Sequence, residues 1–264
     1  MKLGPNNTEW EITKAFPTTG KMAVLFSGGI DSTLIVSIAI DLYGKENVYL
    51  LWSDSMFCED HPKIKEVIKF NVETVSKHLD IVPYYTLVDY EHFKIDPLLA
   101  QRNAWMDAQS KLNFDHMAMG MTAMFWDIMP LQSLSRQEIL DYCNYNREKY
   151  RVLIEQWHMD TDIYTEHLKM NIHPNVYNWL KCNLGQQFHF PLGTLHKDEI
   201  VDLFYKLGKE ELLYKTISCM AGQGIHCGEC WNCQNRYDGH DINTIADKTI
   251  YQSNLIKDRR EKLK

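Results

Sequence analysis

The sequence has no long hydrophobic run and no excess of positive charge. No stretch approaches the roughly 18 uninterrupted apolar residues that a membrane-spanning helix needs, and residues 1–20 lack the basic-then-apolar layout of a secretory signal. Lys and Arg number 28 against 35 Asp and Glu, so the formal net charge is -7. Because non-specific binding to nucleic acid depends on clustered Lys and Arg, we expect neither a membrane nor a nucleic acid as partner. The composition predicts a cytoplasmic protein.

Two common nucleotide-binding patterns are also missing. No Gly-Lys-Ser or Gly-Lys-Thr follows a glycine-rich loop, and no G-x-G-x-x-G sequence occurs. These absences weaken the interpretations as a kinase or as a dinucleotide-dependent enzyme. Internal repeats and low-complexity tracts are absent as well.

What the chain does contain is an alternation of short apolar runs with helical periodicities. The pattern predicts strands at 22–26, 48–52, 82–88, 116–121 and 188–192, and helices at 31–43, 63–79, 97–112 and 197–207. Such alternation predicts an α/β fold with a doubly wound parallel sheet. Ligands of these sheets bind beyond the carboxyl ends of the strands, so we expect Ser27, Ser53 and Asp54 to face one pocket.

Two segments interrupt the alternation. Residues 1–21 are polar and show no period, which predicts an arm lying on the surface. The segment from Ser135 to Leu184 begins with a Ser-Arg-Gln-Glu capping box and continues as an aromatic-rich stretch, which predicts a helical insertion. We therefore divide the chain into an N-terminal arm (1–21), a nucleotide-binding domain (22–134), the insertion (135–187) and a C-terminal part (188–264).

A Ser-Gly-Gly-Ile-Asp-Ser sequence joins the first predicted strand to the first predicted helix. Gly28 and Gly29 lack Cβ atoms, so their N–H groups can turn inward against an anion, and the positive end of the helix dipole points at the same place. The two serines add hydroxyl donors. Asp31 is placed to cap the helix, and a carboxylate so near a polyphosphate also suits Mg²⁺. We interpret the sequence as a phosphate-binding loop rather than a glycine turn without a ligand.

This loop, with Phe26 before it, resembles the pyrophosphate loop of the N-type ATP pyrophosphatases. That superfamily cleaves ATP between the α and β phosphates and adenylates a carbonyl or carboxyl oxygen. The resemblance implies an adenine nucleotide alpha hydrolase-like, Rossmann-like fold, ATP and Mg²⁺ as cofactors, and AMP and pyrophosphate as products. The residues that it would place on ATP are Ser27, Gly28, Gly29, Asp31 and Ser32. The position of Ser53 and Asp54 at the next strand end adds these two residues to the predicted ATP site.

Four of the seven cysteines crowd into residues 219–233. Cys227, Cys230 and Cys233 form two C-x-x-C steps that share Cys230, and Cys219 can fold back to complete a tetrahedron. In a reducing compartment such crowding favours a metal over disulfides, and four thiolates suit a closed structural Zn²⁺ site. The alternatives are a redox-active C-x-x-C pair and four unligated thiols.

Residues 190–236 carry, in order, Phe-Pro-Leu, a Lys, Ser-Cys and Cys-Gly-x-Cys-x-x-Cys-x-x-Arg. This order resembles the C-terminal signature of the 7-cyano-7-deazaguanine synthase family of queuosine biosynthesis, and Arg102-Asn103 matches a further pair of that family. There, 7-carboxy-7-deazaguanine is adenylated, ammonia displaces AMP to give an amide, and an ATP-driven dehydration gives the nitrile.

The resemblance implies catalytic roles for Asp31, Lys197 and Arg102. Lys197 would be the cation for the phosphates, although a Lys that begins a helix is often simply solvated. Arg236 has the same two-sided interpretation, as a phosphate cation or as a residue that packs on the zinc loop.

Two segments depart from the family pattern. The family has Tyr-Gly-Gln-Arg-His and a Glu after its second strand, whereas residues 52–57 read Trp-Ser-Asp-Ser-Met-Phe. Where the family places two Asp and a Tyr, this chain has Phe125, Met129 and Leu131, and Asp127 is the one carboxylate left nearby. These apolar residues either fill the core or line an altered pocket. The sequence therefore leaves open which acid is activated.

From these observations we expect an ATP-dependent ligase with a small-molecule acid and ammonia as substrates, a structural Zn²⁺, and a homodimer among the possible assemblies. Two other classes stay open. One is a sulfur transferase acting on tRNA, which normally needs catalytic thiols and a basic face. The other is a non-catalytic ATP-binding module.

Overall fold

The computed structural model describes residues 1–5, 7–53, 62–88, 97–120, 188–189, 191–193, 195–219 and 221–253. The predicted helical insertion, with its capping box at Ser135, lies outside these residues. Within the described ranges, none of the helices combines the length and the apolar character needed to span a membrane.

The N-terminal segment forms regular structure that its sequence did not predict. Its elements are β1 (Lys2–Leu3) and β2 (Thr8–Glu9), paired antiparallel, and α1 (Ile12–Ala15). Leu3, Trp10 and Phe16 are buried in the main core, and the Trp10 indole donates a hydrogen bond to the carbonyl of Pro191 at 3.2 Å. These side chains pack into the body of the protein, which differs from the expected arm on the surface. Strands of two residues are too short to show a period.

A five-stranded parallel sheet forms the centre of the protein. Its strands are β3 (Met22–Leu25), β4 (Val48–Ser53), β5 (Tyr84–Thr86), β6 (His116–Met119) and β7 (Phe188–His189), in the order β5-β4-β3-β6-β7. The chain leaves β3 towards β4 on one side and later returns to pair β6 on the other. Such a reversal is the switch point at which doubly wound sheets bind ligands. The predicted fold class is confirmed.

Helices cover both faces of this sheet. They are α2 (Ile30–Tyr43), α3 (Pro62–Leu79), α4 (Pro97–Leu112), α5 (Lys197–Lys206), α6 (Glu210–Leu213) and α7 (Trp231–Ile242), with a short 3-10 helix at Lys45–Asn47. α2 is buried along most of its length and supplies Leu34, Ile35 and Ile38 to the main core. On the other face, Trp105 of α4 packs with Leu51 and Phe114 in a second cluster. Burial of these apolar side chains is the main force that holds the layers together.

Two helices of the C-terminal part pack closely because one contact position is a glycine. A Cβ atom on Gly239 of α7 would lie 2.9 Å from the carbonyl oxygen of Lys197 at the start of α5. No side chain fits there without a shift of the backbone. The contact fixes α7 against the end of the helix that carries Lys197.

Candidate functional site

A cavity of about 300 Å³ opens at the carboxyl ends of the central strands. Its apolar walls come from strands and helices on both sides of the switch point, and they are formed by Leu25, Phe26, Ile30, Leu51, Trp52, Ile68, Trp105, Met119 and Ile217. Its polar lining consists of Ser27, Asp31, Ser32, Ser53, Asn71, Lys197, Ser218, Asn232 and Asn235. Apolar walls with a few convergent polar groups are typical of small-molecule sites.

The loop between β3 and α2 forms one side of the cavity, and two glycines allow its close packing. Gly28 has φ +75°, and a Cβ there would lie 2.7 Å from the carbonyl oxygen of Asn71. A Cβ on Gly120, just after β6, would lie 2.8 Å from the amide nitrogen of Ser32. The loop therefore sits directly on α3 and on the end of β6, and side chains at these glycines would displace it.

The serines of the loop bind each other and the backbone. The amide of Ser27 donates to the Ser32 hydroxyl at 3.3 Å, and the amide of Gly29 donates to the Ser27 hydroxyl at 3.4 Å. These contacts hold the loop in its shape. Both hydroxyls also line the cavity, where they can donate to an anion.

The expected capping role of Asp31 is wrong. The N-cap of α2 is Gly29, which makes no side-chain cap, and Asp31 lies in the first turn. Its carboxylate accepts a hydrogen bond from the ammonium group of Lys197 instead. The N–H of Ile30 donates to the hydroxyl of Ser218 at 3.3 Å, so a distant segment supplies the helix start with its side-chain acceptor.

Lys197 is not a solvated residue. Its side chain is 9% exposed and that of Asp31 is 24% exposed, and both line the cavity. A capping box holds the start of α5, in which the Glu199 carboxylate accepts from the amide of His196 at 2.9 Å. The only cation that the cavity's described lining contains is thereby held on a fixed helix end beside the phosphate loop.

The other residues that were predicted to bind ATP or to act in catalysis lie in different places. Ser53, at the end of β4, lines the cavity as expected. Asp54 lies outside the described residues, as do Phe125, Asp127, Met129 and Leu131. Arg102 lies in α4 (Pro97–Leu112), and its role stays a prediction.

The four cysteines of residues 219–233 come together as their spacing predicts. All four sulfur atoms lie within 4.8 Å of one another. The Cys227–Cys233 and Cys219–Cys230 sulfur pairs are 3.9 and 4.0 Å apart, close to the spacing of about 3.8 Å that follows from four Zn–S bonds of about 2.3 Å in a tetrahedron. The residues present therefore fit a metal ion.

Backbone groups around the cluster favour thiolates. The amides of Ala221 and Cys227 each donate to the Cys219 sulfur at 3.4 Å, and the amide of Cys230 donates to the Cys227 sulfur at 3.2 Å. The pKa of Cys219 is lowered, chiefly by a hydrogen bond from the Cys230 thiol, whereas the pKa of Cys233 is raised, chiefly by its hydrogen bond with Cys219. Gly228, with φ +80°, makes the turn between the first two ligands of the C-x-x-C step. Thiolate is the form that binds metals.

Arg236 is buried, and its contacts favour the packing interpretation. Its guanidinium donates to the Thr249 hydroxyl at 2.9 Å, to the Thr216 hydroxyl at 2.7 Å and to the Leu213 carbonyl at 2.8 Å. The described lining of the cavity does not include it. Arg236 thus holds the segment before Cys219 in place.

Four polar residues of the cavity were not assigned to ATP from the sequence: Asn71, Ser218, Asn232 and Asn235. The last three flank the cysteines, so the segment that carries the cysteines forms part of the cavity. Ser218 stands within a recognised Ser-Cys pair and could have been inferred. Asn71 lies in an ordinary helical pattern, and nothing local marks it.

Comparisons with known proteins support the C-terminal resemblance. Residues 171–244 match the family described as queuosine biosynthesis protein QueC. A 7-cyano-7-deazaguanine synthase from Hydrogenovibrio crunogenus is 37% identical over 75 residues, which are 27% of this chain and 32% of that protein. The matched region thus spans about a third of the relative's length. The predicted family resemblance is confirmed over residues 171–244, which contain Lys197 and the four cysteines.

A likeness to one solved structure covers more of the chain but is weak. The U34-tRNA thiolase NcsA from Methanococcus maripaludis, solved with its 4Fe-4S cluster, aligns with 91% of this chain and 68% of that chain. The TM-score is 0.34 and the identity is 13%. At that level the likeness carries no argument about this chain.

Proposed function

We propose that this chain is an ATP-dependent ligase that adenylates a carboxylate, 7-carboxy-7-deazaguanine or a related deazaguanine acid, for attack by ammonia. One observation carries the proposal: the phosphate loop, the Asp31–Lys197 pair and the segment that carries the cysteines all line a single cavity. The match of residues 171–244 to the queuosine family supports the substrate class.

The reaction class follows from the chemistry of a carboxylate, which is a poor electrophile. One of its oxygens attacks the α phosphorus of ATP, the bond to the β phosphate oxygen breaks, and pyrophosphate leaves. Ammonia then adds to the activated carbonyl carbon, and AMP leaves to give the amide. A second ATP can activate the amide oxygen in the same way with release of pyrophosphate, and loss of AMP and of both N–H protons then gives the nitrile. No protein nucleophile is needed, so positioning and electrostatics carry the rate.

The cavity residues have roles that suit this reaction. The start of α2 and the Ser27 and Ser32 hydroxyls would hold phosphate oxygens. Lys197 would neutralise charge that develops on the departing pyrophosphate. Asp31 would hold Mg²⁺, which supplies a counter-charge to the phosphates. Trp52 and Trp105 offer apolar surfaces for ring systems.

The cysteine site would hold Zn²⁺ in a structural role. Four protein ligands close the coordination sphere and leave no position for substrate. Its contribution to the reaction would be indirect, because Ser218 and Asn232 stand next to cysteines and line the cavity.

We expect the substrate either to differ from 7-carboxy-7-deazaguanine or to be held differently than in the usual family member. A deazapurine ring presents N–H and amino donors, and each buried donor left unpaired costs about 1–3 kcal/mol. Phe125, Met129 and Leu131 replace the family's acceptors, so binding should weaken on the order of a hundredfold unless Ser53, Asp54 or Asp127 supplies the missing partners.

Product analysis tests the proposal. The purified chain is incubated with ATP, Mg²⁺, ammonia and either 7-carboxy-7-deazaguanine or a panel of related acids, and nucleotides and acid products are identified by mass spectrometry. We expect AMP and pyrophosphate, with an amide or nitrile. Asp31→Asn should abolish turnover, and Asp80→Asn, which removes a surface ion pair with Lys45, should not.

The results also separate the alternatives. ATP binding without products from any acid would indicate the non-catalytic module. Sulfur transfer to tRNA would need a reactive thiol, whereas the cysteines that the described ranges contain all belong to the metal cluster. No observation favours that class.

A further inference from the structure

We infer that Asn71 helps to recognise the ligand of the cavity. Its side-chain oxygen Oδ1 accepts a hydrogen bond from an N–H or O–H group of that molecule. The inference rests on the proposed function, in which that molecule is ATP or the acid. Neither the sequence motifs nor the matched region, 171–244, includes this residue.

The hydrogen bond made by the side-chain nitrogen Nδ2 sets the orientation of the Asn71 amide. Nδ2 donates to the backbone carbonyl of Cys219 at 3.3 Å. A carbonyl oxygen can only accept, so the nitrogen must face Cys219 and the oxygen must point elsewhere. The opposite assignment of the amide would place two oxygens against each other.

Both anchors of this amide are held firmly. The backbone of α3 at Asn71 abuts the phosphate loop, where a Cβ on Gly28 would lie 2.7 Å from the Asn71 carbonyl oxygen. Cys219 belongs to the four-cysteine cluster. Asn71 therefore connects α3, the loop and the metal-binding segment, and its side chain has little freedom to turn.

The Asn71 oxygen lacks a partner in a place where oxygens normally have one. Asn71 is 2% exposed and lines the cavity. Within the described part of the chain, Oδ1 is buried and accepts no hydrogen bond. Buried polar atoms are nearly always paired, because an unpaired one loses its hydration without compensation. An acceptor kept in this state at a cavity is satisfied when a ligand arrives.

The chemistry of an amide oxygen selects the ligand group. It repels phosphate and carboxylate oxygens and attracts N–H and O–H donors. Such donors occur in both proposed substrates: the amino group and ribose hydroxyls of ATP, and the ring N–H and amino groups of a deazaguanine acid. A site built to pair a donor rejects an analogue without it, because its own acceptor is then left buried and unpaired.

The test is a double-mutant cycle between Asn71 and the ligand. Calorimetry measures the Kd of the wild type and of Asn71→Leu for ATP, purine riboside triphosphate, which lacks the amino group, and the two monodeoxy ATP analogues. The Kd values of the wild type and of Asn71→Leu are also measured for 7-carboxy-7-deazaguanine and its deamino analogue. Asn47→Leu is the matched control. The Asn47 side-chain amide also donates to a backbone carbonyl, that of Tyr43 at 2.8 Å, and Asn47 is not among the described residues that line the cavity.

We expect one analogue to bind the wild type at least about tenfold more weakly than its parent. In Asn71→Leu that difference should vanish, and the Asn47→Leu protein should keep it. Which analogue responds tells whether the donor belongs to the nucleotide or to the acid. Metal content and the unfolding midpoint of each variant check that the cysteine site is intact.

Two results would overturn the inference. If Asn71→Leu weakens every ligand and analogue by the same factor, Asn71 has only a structural role, and the proposed function stands. If the wild type binds neither ATP nor the acid, the proposed function and the inference fall together. The two failures are thus distinguished by the wild-type titrations alone.

Discussion

Asp31 and Lys197 form the one ion pair that the described lining of the cavity contains. The two side chains are more than three-quarters removed from solvent, so water screens their attraction less than it screens a surface pair. Each is held by its own helix, α2 or α5. The pair therefore places a positive and a negative group at the phosphate loop before any ligand binds.

Replacing Lys197 by Met should weaken both stability and activity. The Asp31 carboxylate would keep its place in the cavity without its cation, which should lower the free energy of unfolding by about 1–3 kcal/mol in urea titrations. AMP formation should fall on the order of a hundredfold or more, because a preorganised charge at the phosphates is lost. Lys45→Met removes a pair whose Asp80 side chain is 91% exposed and should leave stability almost unchanged, because water screens such a surface pair. Equal effects of the two variants would refute this assignment.

Arg236 should prove to be a stability residue. Burial lowers its pKa, and its guanidinium satisfies acceptors on three separate residues. A Lys cannot reproduce that planar set of donors, so Arg236→Lys should lower the free energy of unfolding by about 2–4 kcal/mol. The Kd for ATP, measured where the variant is folded, should change little. A stable variant with weakened ATP binding would instead indicate a phosphate cation.

At the scale of elements, the short segment before Cys219 joins the cysteine cluster to the loop between β3 and α2. The amide of Ile217 donates to the carbonyl of Gly28 at 2.9 Å, and Ser218 accepts from the N–H of Ile30. The next residue, Cys219, belongs to the four-cysteine cluster. Order at the cysteines and order at the loop are therefore coupled through three consecutive residues.

Metal and nucleotide should consequently bind with positive cooperativity. We expect one Zn²⁺ per chain by elemental analysis, and Cys230→Ser should reduce that content and destabilise the C-terminal part. Stripping the metal should weaken ATP binding about tenfold or more, and ATP should slow metal loss to a chelator by a corresponding factor, because coupling between sites is reciprocal. Ser218→Ala should keep the metal and weaken ATP alone. Identical ATP affinity with and without metal would argue against this coupling.

The N-terminal segment is tied to α2 by a tyrosine that should respond to high pH. The Tyr43 hydroxyl donates to the carbonyl of Pro17 at 2.5 Å, and burial raises the pKa of Tyr43 to about 12. An unfolded tyrosine ionises near pH 10, so between about pH 10 and pH 12 the unfolded chain has lost a proton that the folded chain keeps. The contribution to stability is complete below that range and is lost as pH rises through it.

Comparison of the wild type with Tyr43→Phe measures this effect. In urea titrations, the free energy of unfolding should fall more between about pH 9 and about pH 11 for the wild type than for the variant. The difference should be no more than about 1 kcal/mol, since solvent partly screens the half-buried side chain. Parallel losses in the two proteins would show that Tyr43 ionises as freely in the folded state as in the unfolded one.

Some elements could be predicted from the sequence because their signals are local. The run from Met22 to Phe26, the glycine turn and the period of α2 each stand within a few residues, and all were placed correctly. The short strands β1 and β2 have no period, so the burial of Leu3 and Trp10 was missed. The Asp31–Lys197 pair and the position of Asn71 depend on contacts between distant segments, which no local pattern contains.

At the scale of the whole molecule, the switch point of the sheet, the phosphate loop and the cysteine cluster meet at one cavity. The fold supplies the general features of nucleotide binding, namely strand ends, a helix start and a fixed cation. The family match over residues 171–244 supports a deazaguanine acid as the substrate. The central claim that joins them is chemical: an oxygen of the acid becomes bonded to the α phosphorus of ATP.

Oxygen-isotope transfer tests that claim most directly. 7-Carboxy-7-deazaguanine labelled with heavy oxygen in its carboxylate is incubated with the metal-loaded protein, ATP, Mg²⁺ and ammonia, and the nucleotide products are analysed by mass spectrometry. Adenylation predicts that AMP carries one heavy oxygen, because the carboxylate oxygen leaves with the α phosphate when ammonia attacks. Unlabelled AMP accompanying a labelled amide that has lost a carboxylate oxygen, or ADP and phosphate as the only nucleotide products, would contradict it.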